Sequence, residues 1–360
     1  MTWHRAVAAP RSLPLGMGHV VALRRGWVQW TTFAVGAAGL VALPAVLPTF
    51  WLHLANLCLL AVVGAVALNL LSGNARLVSL GQAAFLGVGG FTAGLLHRAY
   101  QLPFPAVLLA AAAAGGLVGL IVAIPSLRLR VLYVAVTTLA LHFAVTTFFA
   151  FVQAQFLDSS GVILPIPALG PFELAGPLRW YYLLLVVVAA VVVGALNVLR
   201  SFIGRRWIAV GEHDVAAEAL GVSAVRAKLS VFVATSAVVA FAGALSAYYV
   251  GTVSFETYNL GLAISYLAMI IVGGMGRVLG SVLGALLITL LPYLLDQLFV
   301  GIGLNVRAST LAGVQEAVFG GLIIAFLLFE PRGLAETWRR VSTAAADWPF
   351  RYRAAQRGTR

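Results

Sequence analysis

Long apolar runs separated by short polar segments are the main pattern of this 360-residue chain. A helix needs about 20 apolar residues to cross the hydrocarbon core of a bilayer, where its backbone polar groups must be satisfied internally. On this rule the pattern predicts an all-α fold, a polytopic membrane helical bundle of about ten spans. The predicted spans are residues 27–50, 51–71, 78–96, 103–124, 131–151, 180–199, 229–250, 260–275, 278–295 and 311–329.

Two stretches of the chain are unusually rich in glycine: residues 81–94, inside the third predicted span, and residues 273–284, where the eighth span ends and the ninth begins. Irregular backbone at membrane depth is tolerated where it is buried in protein or lines a cavity, so we expect broken or re-entrant helices there. Small residues four positions apart also let two helices approach closely. The candidates for such packing are Gly90, Gly94, Gly273, Gly274, Gly276, Gly280 and Gly284. This spacing is common in membrane bundles and does not by itself identify a transporter.

The composition agrees with a membrane protein. Hydrophobic residues make up 62% of the chain and charged residues 9%, against about 25% charged residues in soluble domains. The net charge of +12 is spread over short segments between apolar runs, so it does not indicate a nucleic-acid partner. A single cysteine, Cys58, excludes an internal disulfide and a cysteine-based metal site, and no metal-binding or catalytic cluster is predicted.

The basic residues predict how the chain is oriented. When the ten spans alternate, Arg98, Arg179 and Arg307 lie on one side and the other 20 of the 23 Lys and Arg residues lie opposite. Positively charged loops stay in the cytoplasm, so both termini are predicted to be cytoplasmic, without a cleaved signal peptide. The predicted parts are a basic N-terminal tail (1–26), a transmembrane domain (27–330) with an external loop (152–179) and a cytoplasmic loop (200–228), and a basic C-terminal tail (331–360) on lipid headgroups.

The cytoplasmic loop contains a helix-forming run from Glu212 to Ala219. Gly221 follows it and is suited to a left-handed helix cap. An exposed short helix between two spans offers a surface to a soluble partner. The alternative is a solvated connector held on lipid headgroups through Arg200, Arg205 and Arg206. The residue pattern alone leaves both open.

The chain lacks a phosphate-binding loop, since its only lysine, Lys228, is followed by Leu229 and not by Ser or Thr. We therefore predict that it is not an enzyme and that ATP hydrolysis requires a separate subunit. An ion-coupled secondary transporter would need ionisable groups inside the spans, and the candidates are Glu316, Asp296, His53, His97 and His142. An intramembrane enzyme ranks last, because no cluster of carboxylates or histidines is visible.

The string LNLLSGNARLVSLGQAAFLGVGG at 68–90 resembles the opening signature of branched-chain amino acid ABC transporter permeases. Other stretches are similar to the M-type (LivM-type) subunit of that family. They are LRLR at 127–130 with Tyr133, TTLA at 137–140, the loop from Gly204 to Lys228 with AAEALG at 216–221, AGAL at 242–245, GGMG at 273–276 and PRGL at 331–334. The resemblance covers roughly residues 68–334, most of the membrane region sized by the span rule.

The resemblance implies a subunit of a heteromeric importer in the inner membrane of a bacterium. Its partners would be a sister permease, two ABC ATPase subunits that bind ATP and Mg²⁺, and an extracytoplasmic solute-binding protein, while this chain binds no cofactor. The cytoplasmic loop would dock into a groove of the ATPase as a coupling element. The residues assigned to this coupling loop are Glu212, Asp214, Ala217, Glu218, Gly221, Arg226 and Lys228.

The solute is the least defined part of the resemblance. Val131 and Leu132 stand where the family usually has Gly-Asp, and residues 158–161 replace a Thr-Gly-Gly stretch. Branched-chain or other amino acids are the first expectation, and urea, short amides or sugars are the alternatives within the superfamily. The residues predicted to line the path are Asn69, Ser72, Gln82, Tyr133, Thr137 and Thr138, with hydrogen bonding between helices as the alternative for each.

Overall fold

The computed structural model describes residues 36, 38–126, 131–156, 161–169, 172–301 and 333–337, together with 313–314, 317–318, 320–321 and 324. The residues described before Thr49, among them the 3₁₀-helix Leu43–Ala45, belong to a small unit of their own. The remaining described residues form a second unit, to which everything below refers. The predicted N-terminal tail and nearly all of the C-terminal tail lie outside the described residues.

Helices make up most of this unit. They are α1 (Thr49–Leu68), α2 (Gln82–Tyr100), α3 (Phe104–Ser126), α4 (Val131–Phe156), α5 (Pro177–Arg200), α6 (Phe202–Glu212), α7 (Asp214–Ala219), α8 (Ala224–Val250), α9 (Leu260–Gly273) and α10 (Val278–Gly301). Their long apolar runs can cross a bilayer because a helix satisfies its own backbone groups. Helices α6 and α7 are too short to cross.

Six helices among the described residues have the length and apolarity of a membrane span: α1 with its extension to Asn74, α3, α4, α5, α8 and α10. Helix α2 corresponds to the predicted span 78–96, and α9, which has only 14 residues, corresponds to the predicted span 260–275. The predicted spans 27–50 and 311–329 lie mostly outside the described residues. The all-α membrane fold is therefore confirmed, and the total of ten spans stays a prediction.

Short antiparallel strands close one end of the bundle. The strand β1 (Val162–Ile163) pairs with β4 (Thr252–Val253), and β2 (Ala168–Leu169) pairs with β3 (Phe172–Glu173). Part of the predicted external loop is thus held against the chain that follows α8, while α4 extends to Phe156. We call this end the strand end; the opposite end, to which α5 descends, is the α6–α7 end.

Helix α8 lies at the centre of the bundle, in contact with α1, α2 and α3. Two of these crossings depend on glycine. A Cβ atom on Gly89 of α2 would overlap the backbone of Ala240, and one on Gly243 would overlap the backbone of Leu86. Small residues at such positions let the backbones of two helices touch. The resulting van der Waals contact stabilises helix association in a membrane, where no hydrophobic effect acts between helices.

The chain leaves the helical conformation between α1 and α2. A π-helix continues α1 through Asn69–Asn74, residues 75–81 form neither helix nor strand, and α2 begins at Gln82. The Gln82 side chain donates to the Gly64 carbonyl at 2.9 Å, so α2 begins beside the interior of α1. The chain therefore re-enters the bundle in a first break. This break precedes the glycine-rich segment 81–94, whose residues from Gln82 onward form one continuous helix.

A second break separates α9 from α10 and falls inside the predicted segment 273–284. Helix α9 ends at Gly273. Gly274 and Gly276 have φ angles of 111° and 82°, which residues other than glycine rarely adopt. The two helices then pack closely. A Cβ atom on Gly280 would lie 2.6 Å from the Gly273 carbonyl oxygen, and one on Gly284 would overlap the Met269 carbonyl.

Basic residues are concentrated at the α6–α7 end. Of the described Lys and Arg residues, those at this end are Arg76, Arg200, Arg205, Arg206, Arg226, Lys228 and Arg277. Arg98 and Arg179 lie toward the strand end. The helix directions thus separate the charges as the sequence analysis predicted for the described residues, because consecutive spans alternate in direction.

Candidate functional site

Helix α6 begins immediately after span α5 and lies against the bundle. The Ser201 hydroxyl caps it by accepting the Gly204 backbone N–H at 3.4 Å. Its buried residues are Gly204, Trp207 and Val210, every third position, so one face packs inward while Arg205 is exposed. The result is an amphipathic helix at the membrane boundary.

Helix α7 is separate from α6, which corrects the single helical run predicted from Glu212 onward. Glu212 ends α6, His213 is extended with φ −153° and ψ 103°, and α7 starts at Asp214. The extended residue lets α7 leave the direction of α6. The two short helices together form what we call the α6–α7 element (Phe202–Ala219).

The end of α7 adopts the predicted glycine cap. Gly221 has a φ of 82°, and its N–H donates to the Glu218 carbonyl at 2.9 Å. The Val222 N–H donates to the Ala217 carbonyl, also at 2.9 Å. These two bonds form a Schellman motif, in which a glycine takes the left-handed position. The left-handed conformation expected for Gly221 is therefore observed.

The outer face of α7 is unusually apolar for a solvated helix. Val215 is 82% exposed and Leu220 in the cap is 85% exposed, while the acidic Glu218 is also exposed. Packing within the chain does not account for two large aliphatic side chains at this position. Such a short helix with apolar anchors suits a groove on a partner protein.

The inner face of the element belongs to a hydrophobic cluster of its own. Trp207, Val210 and Ala217 are buried there together with residues of the first break and of α8. The Trp207 indole N–H donates to the Ser230 hydroxyl of α8 at 2.9 Å. The element and the helices beneath it therefore share one close-packed cluster.

An ion pair fixes α7 to α8. The Lys228 ammonium donates to the Asp214 carboxylate at the first position of α7. The Lys228 side chain is only 13% exposed, so removal of its partner leaves a charge that is largely withdrawn from water. Such a group costs about 1–3 kcal/mol when its partner is lost. This pair is therefore a stronger restraint than an ion pair on an open surface.

We expect Asp214→Asn to loosen α7 without unfolding the spans. The change should destabilise the element by about 1–3 kcal/mol, because the Lys228 charge loses its counterion. Hydrogen-exchange mass spectrometry should then show faster exchange in residues 214–222 and unchanged exchange in α8. Glu218→Gln removes a charge from the exposed face of the same helix and serves as the matched control. Equal exchange in the two variants would contradict the restraint.

The first break touches α6 directly. A Cβ atom on Gly211 of α6 would lie 2.8 Å from the Asn74 carbonyl oxygen and from the Ala75 carbonyl carbon. Arg76 and Glu212 are 3.9 Å apart, but both side chains are 62% exposed, so this pair contributes little. Backbone contact at Gly211, and not the surface ion pair, joins the element to the break.

The two breaks are hydrogen-bonded to each other. The Gly276 N–H donates to the Asn69 side-chain oxygen at 2.8 Å, and the Asn74 amide donates to the Gly276 carbonyl at 3.3 Å. Beside them, Arg277 donates to Glu336 at 2.6 Å, and the Glu336 side chain is 3% exposed. Sequence reasoning missed Asn74, Arg277 and Glu336, since pairs 59 to 207 residues apart leave no local signal.

Three further residues predicted to line the path, Ser72, Gln82 and Thr138, are buried at the first break. The Ser72 hydroxyl donates to the Leu77 carbonyl at 3.1 Å, and Thr138 accepts the Leu80 N–H at 3.0 Å. These two bonds satisfy backbone groups of the break that have no helical partner, and the bond from Gln82 joins the start of α2 to α1. The side chains thus hold the broken backbone, and contact with a solute stays a prediction.

The two remaining path residues lie elsewhere. Tyr133 in α4 is 57% exposed on the surface of the chain. Thr137 is half-buried and donates to the Tyr133 carbonyl of its own helix at 2.9 Å. The structure therefore does not bring Tyr133 and Thr137 into the group at the first break.

The packing glycines of α2 lie toward the strand end. A Cβ atom on Gly90 would overlap the Tyr258 hydroxyl, and one on Gly94 would lie 3.2 Å from the Val162 side chain. Both therefore allow α2 to approach the segments that close this end. Gly273, Gly280 and Gly284, by contrast, lie at the contact between α9 and α10.

The ionisable residues considered for ion coupling do not cluster. His142 in α4 is 2% exposed and its Nδ1 has no hydrogen-bond partner among the described atoms. Asp296 is exposed near the end of α10, and Glu316 lies outside the described residues. Within the described part of the chain, no group of three His, Cys, Asp or Glu side chains is placed to hold a metal ion.

These features define a class: an all-α polytopic membrane protein with broken spans and a helical element outside them. The family model for the permease component of the branched-chain amino acid transport system matches residues 47–327, and the chain belongs to this family. The high-affinity branched-chain amino acid transport system permease protein LivM of Escherichia coli (strain K12) is 28% identical over 332 residues, which cover 82% of this chain and 72% of that protein. LivM of Salmonella typhimurium (strain LT2) is 27% identical over the same shares. No solved structure matches the chain significantly.

Proposed function

We propose that this chain is the transmembrane permease subunit of a binding-protein-dependent ABC importer. It translocates branched-chain or other amino acids across the bacterial cytoplasmic membrane, using ATP that partner subunits hydrolyse. The observation that carries the proposal is the α6–α7 element, which has an apolar outer face and a core that ties it to the spans. A soluble ATPase that moves a membrane domain must bind an exposed surface that is packed against the spans, and the α6–α7 element is such a surface.

The proposal places the α6–α7 end in the cytoplasm. Most of the described basic residues lie at this end, as expected where positive loops stay inside. The strand end then faces the exterior, where a solute-binding protein would deliver cargo. Both termini are cytoplasmic in this arrangement.

The partners in this proposal are a sister permease subunit, two ABC ATPase subunits and the binding protein. ATP and Mg²⁺ belong to the ATPase subunits, since the chain has no phosphate-binding loop of its own. Val215 and Leu220 would enter a groove of the ATPase, with Glu218 at its rim. The remaining residues assigned to the coupling loop have supporting roles: Ala217 packs inward and Lys228 holds Asp214.

ATP-driven closure would act on the spans through contacts already described. Movement of α6 displaces the first break through Gly211, and the first break is bonded to the second through Gly276. Non-helical backbone inside a bundle is where transporters bind and release solutes. The proposal therefore places the path along the two breaks.

The proposed solute rests on the family and on its relatives. The description of the matching family names a branched-chain amino acid transport system, and the names of both LivM proteins include branched-chain amino acids. Urea, short amides and sugars are the alternatives to be included in a transport assay.

Reconstitution tests this function. Vesicles that contain the chain, a sister permease and the ATPase subunits, with binding protein outside, should accumulate leucine only when Mg²⁺ and ATP are inside. Omission of the ATPase should abolish uptake, and a proton or sodium ionophore should leave it unchanged. Uptake by the chain alone along an ion gradient would overturn the proposal in favour of a secondary transporter. Urea and a sugar, tested in parallel, identify the solute class.

A further inference from the structure

A second functional feature lies between α6 and the start of α8. A cavity of about 290 Å³ opens there, close to the smallest size of about 300 Å³ found for ligand sites. Its lining includes Ile203, Arg206, Trp207, Ser223, Arg226 and Ser230. No acidic side chain lines it. The cavity thus offers two guanidinium groups, hydroxyl groups and an apolar wall to a small anionic group.

The two arginines are available to a ligand. Neither guanidinium forms an ion pair with a carboxylate among the described residues. The Arg206 guanidinium lies 3.8 Å from the centre of the Phe202 ring, and this cation–π contact orients it while leaving its N–H groups free. A planar guanidinium binds phosphate oxygens in a bidentate manner, so two of them suit one phosphate group.

The hydroxyl groups differ in what they can donate. Ser230 accepts the Trp207 indole N–H and gives its own proton to the Ala227 carbonyl at 2.9 Å, so it is already occupied. Ser223 accepts the Arg226 backbone N–H at 3.4 Å and keeps its proton for an acceptor in the cavity. It also stands at the positive end of the 27-residue helix α8, which adds to the attraction for an anion.

The position of the cavity favours a lipid over a soluble anion. Span α5 ends at Arg200, directly before α6, and only 11% of its apolar window is buried within the chain. Beside the cavity, Phe202 and Ile203 are 58% and 50% exposed. Apolar side chains next to arginines at a membrane boundary match an amphiphile whose acyl chains run along α5 and whose phosphate sits among the arginines.

We propose that this cavity binds the phosphate of an anionic phospholipid of the cytoplasmic leaflet. Arg206 and Arg226 share the single negative charge of the lipid phosphate, which joins α6 to the turn before α8. It thereby fixes the depth of the α6–α7 element at the membrane surface. Arg226, which the sequence analysis assigned to ATPase coupling, serves in lipid binding in this proposal.

Native mass spectrometry of the purified full chain in neutral detergent tests the site. Detergent removes the surface potential of a bilayer, so only specific binding of the probe, dioctanoyl phosphatidylglycerol, is measured. Arg206→Gln and Arg226→Gln should each weaken binding about tenfold, because each loses charge-assisted hydrogen bonds to phosphate. Arg205→Gln is the matched control, since the Arg205 guanidinium instead donates to the Arg200 carbonyl at 2.9 Å. It should change binding less than about twofold, as expected for a surface charge outside the site.

Two further arms separate the lipid from other anions. Dioctanoyl phosphatidylcholine, whose phosphate is balanced by choline, should bind more weakly than phosphatidylglycerol. Inorganic phosphate in excess should fail to displace the lipid. Displacement by inorganic phosphate, equal binding of both lipids, or equal loss in Arg205→Gln would each overturn the proposal. The chain is tested without ATPase subunits, so the result is independent of the proposed coupling role.

Discussion

Leu220→Arg should weaken association of this chain with the proposed ATPase subunits at least about thirtyfold, while the chain itself stays folded. Leu220 is 85% exposed, so the substitution removes no packing within the chain. Surface changes of this kind alter stability by no more than about 0.5 kcal/mol. If the residue anchors α7 in a groove, its loss costs at least about 2 kcal/mol of binding, roughly a thirtyfold loss of affinity. Titration of the ATPase onto immobilised permease measures this loss.

The control for this experiment lies at the opposite end of the molecule. Ile163 in β1 is 76% exposed, a large aliphatic side chain comparable to Leu220. Ile163→Arg should leave ATPase affinity unchanged, because the strand end faces away from the proposed docking surface. Wild-type affinity in Leu220→Arg would show that the outer face of α7 is not the docking surface. Scanning fluorimetry of both variants checks that each remains folded.

Gly284→Ala should destabilise the membrane domain more than any exposed substitution. A Cβ atom at this position would overlap the Met269 carbonyl oxygen, and backbone cannot yield as a flexible side chain can. Helices α9 and α10 would have to separate, at a cost of about 1–3 kcal/mol or more. We expect a lower apparent melting temperature in detergent and a smaller yield of monodisperse protein.

Gly194→Ala in α5 is the matched control for this prediction. Nothing lies within 4 Å of a Cβ atom at Gly194, so alanine fits without displacement. In a helix interior alanine is favoured over glycine by roughly 0.5–1 kcal/mol, and the control should melt at the wild-type temperature or above it. An unchanged melting temperature for Gly284→Ala would mean that α9 and α10 do not approach as closely as described.

Features with a local signal could be predicted from the sequence. A membrane span can be recognised from one continuous apolar run, because no distant residue is needed to form the helix. Such runs predicted the span-length helices among the described residues. Gly221 could be assigned to a helix cap because a Schellman motif is formed entirely within a few consecutive residues, here 217–222. The density of glycine in the segment 273–284 predicted a break. The structure shows the reason, since Gly274 and Gly276 have φ angles that other residues avoid.

Features set by distant contacts could not be predicted. No residue between Glu212 and Ala219 is a strong helix breaker, so the sequence predicted one continuous run. The interruption at His213 accompanies the burial of Ala217 in the cluster that also contains Trp207 and Val210. The first break was expected after Gly81 and occurs before it, where Thr138 and Gln82 bond to its backbone and to α1. A buried polar residue in a span can hydrogen-bond to neighbouring backbone or contact the transported solute. The local sequence does not distinguish these two roles.

The bond between Gly276 and Asn69 has a consequence for how the protein changes shape. It ties together two stretches of chain that are 207 residues apart, each lying where a helix is interrupted. The Asn69 side chain is fully buried, so a shift of either stretch alone would leave its oxygen without the Gly276 donor. In the proposed mechanism the two interrupted stretches therefore move together, and a displacement at Gly211 reaches both of them.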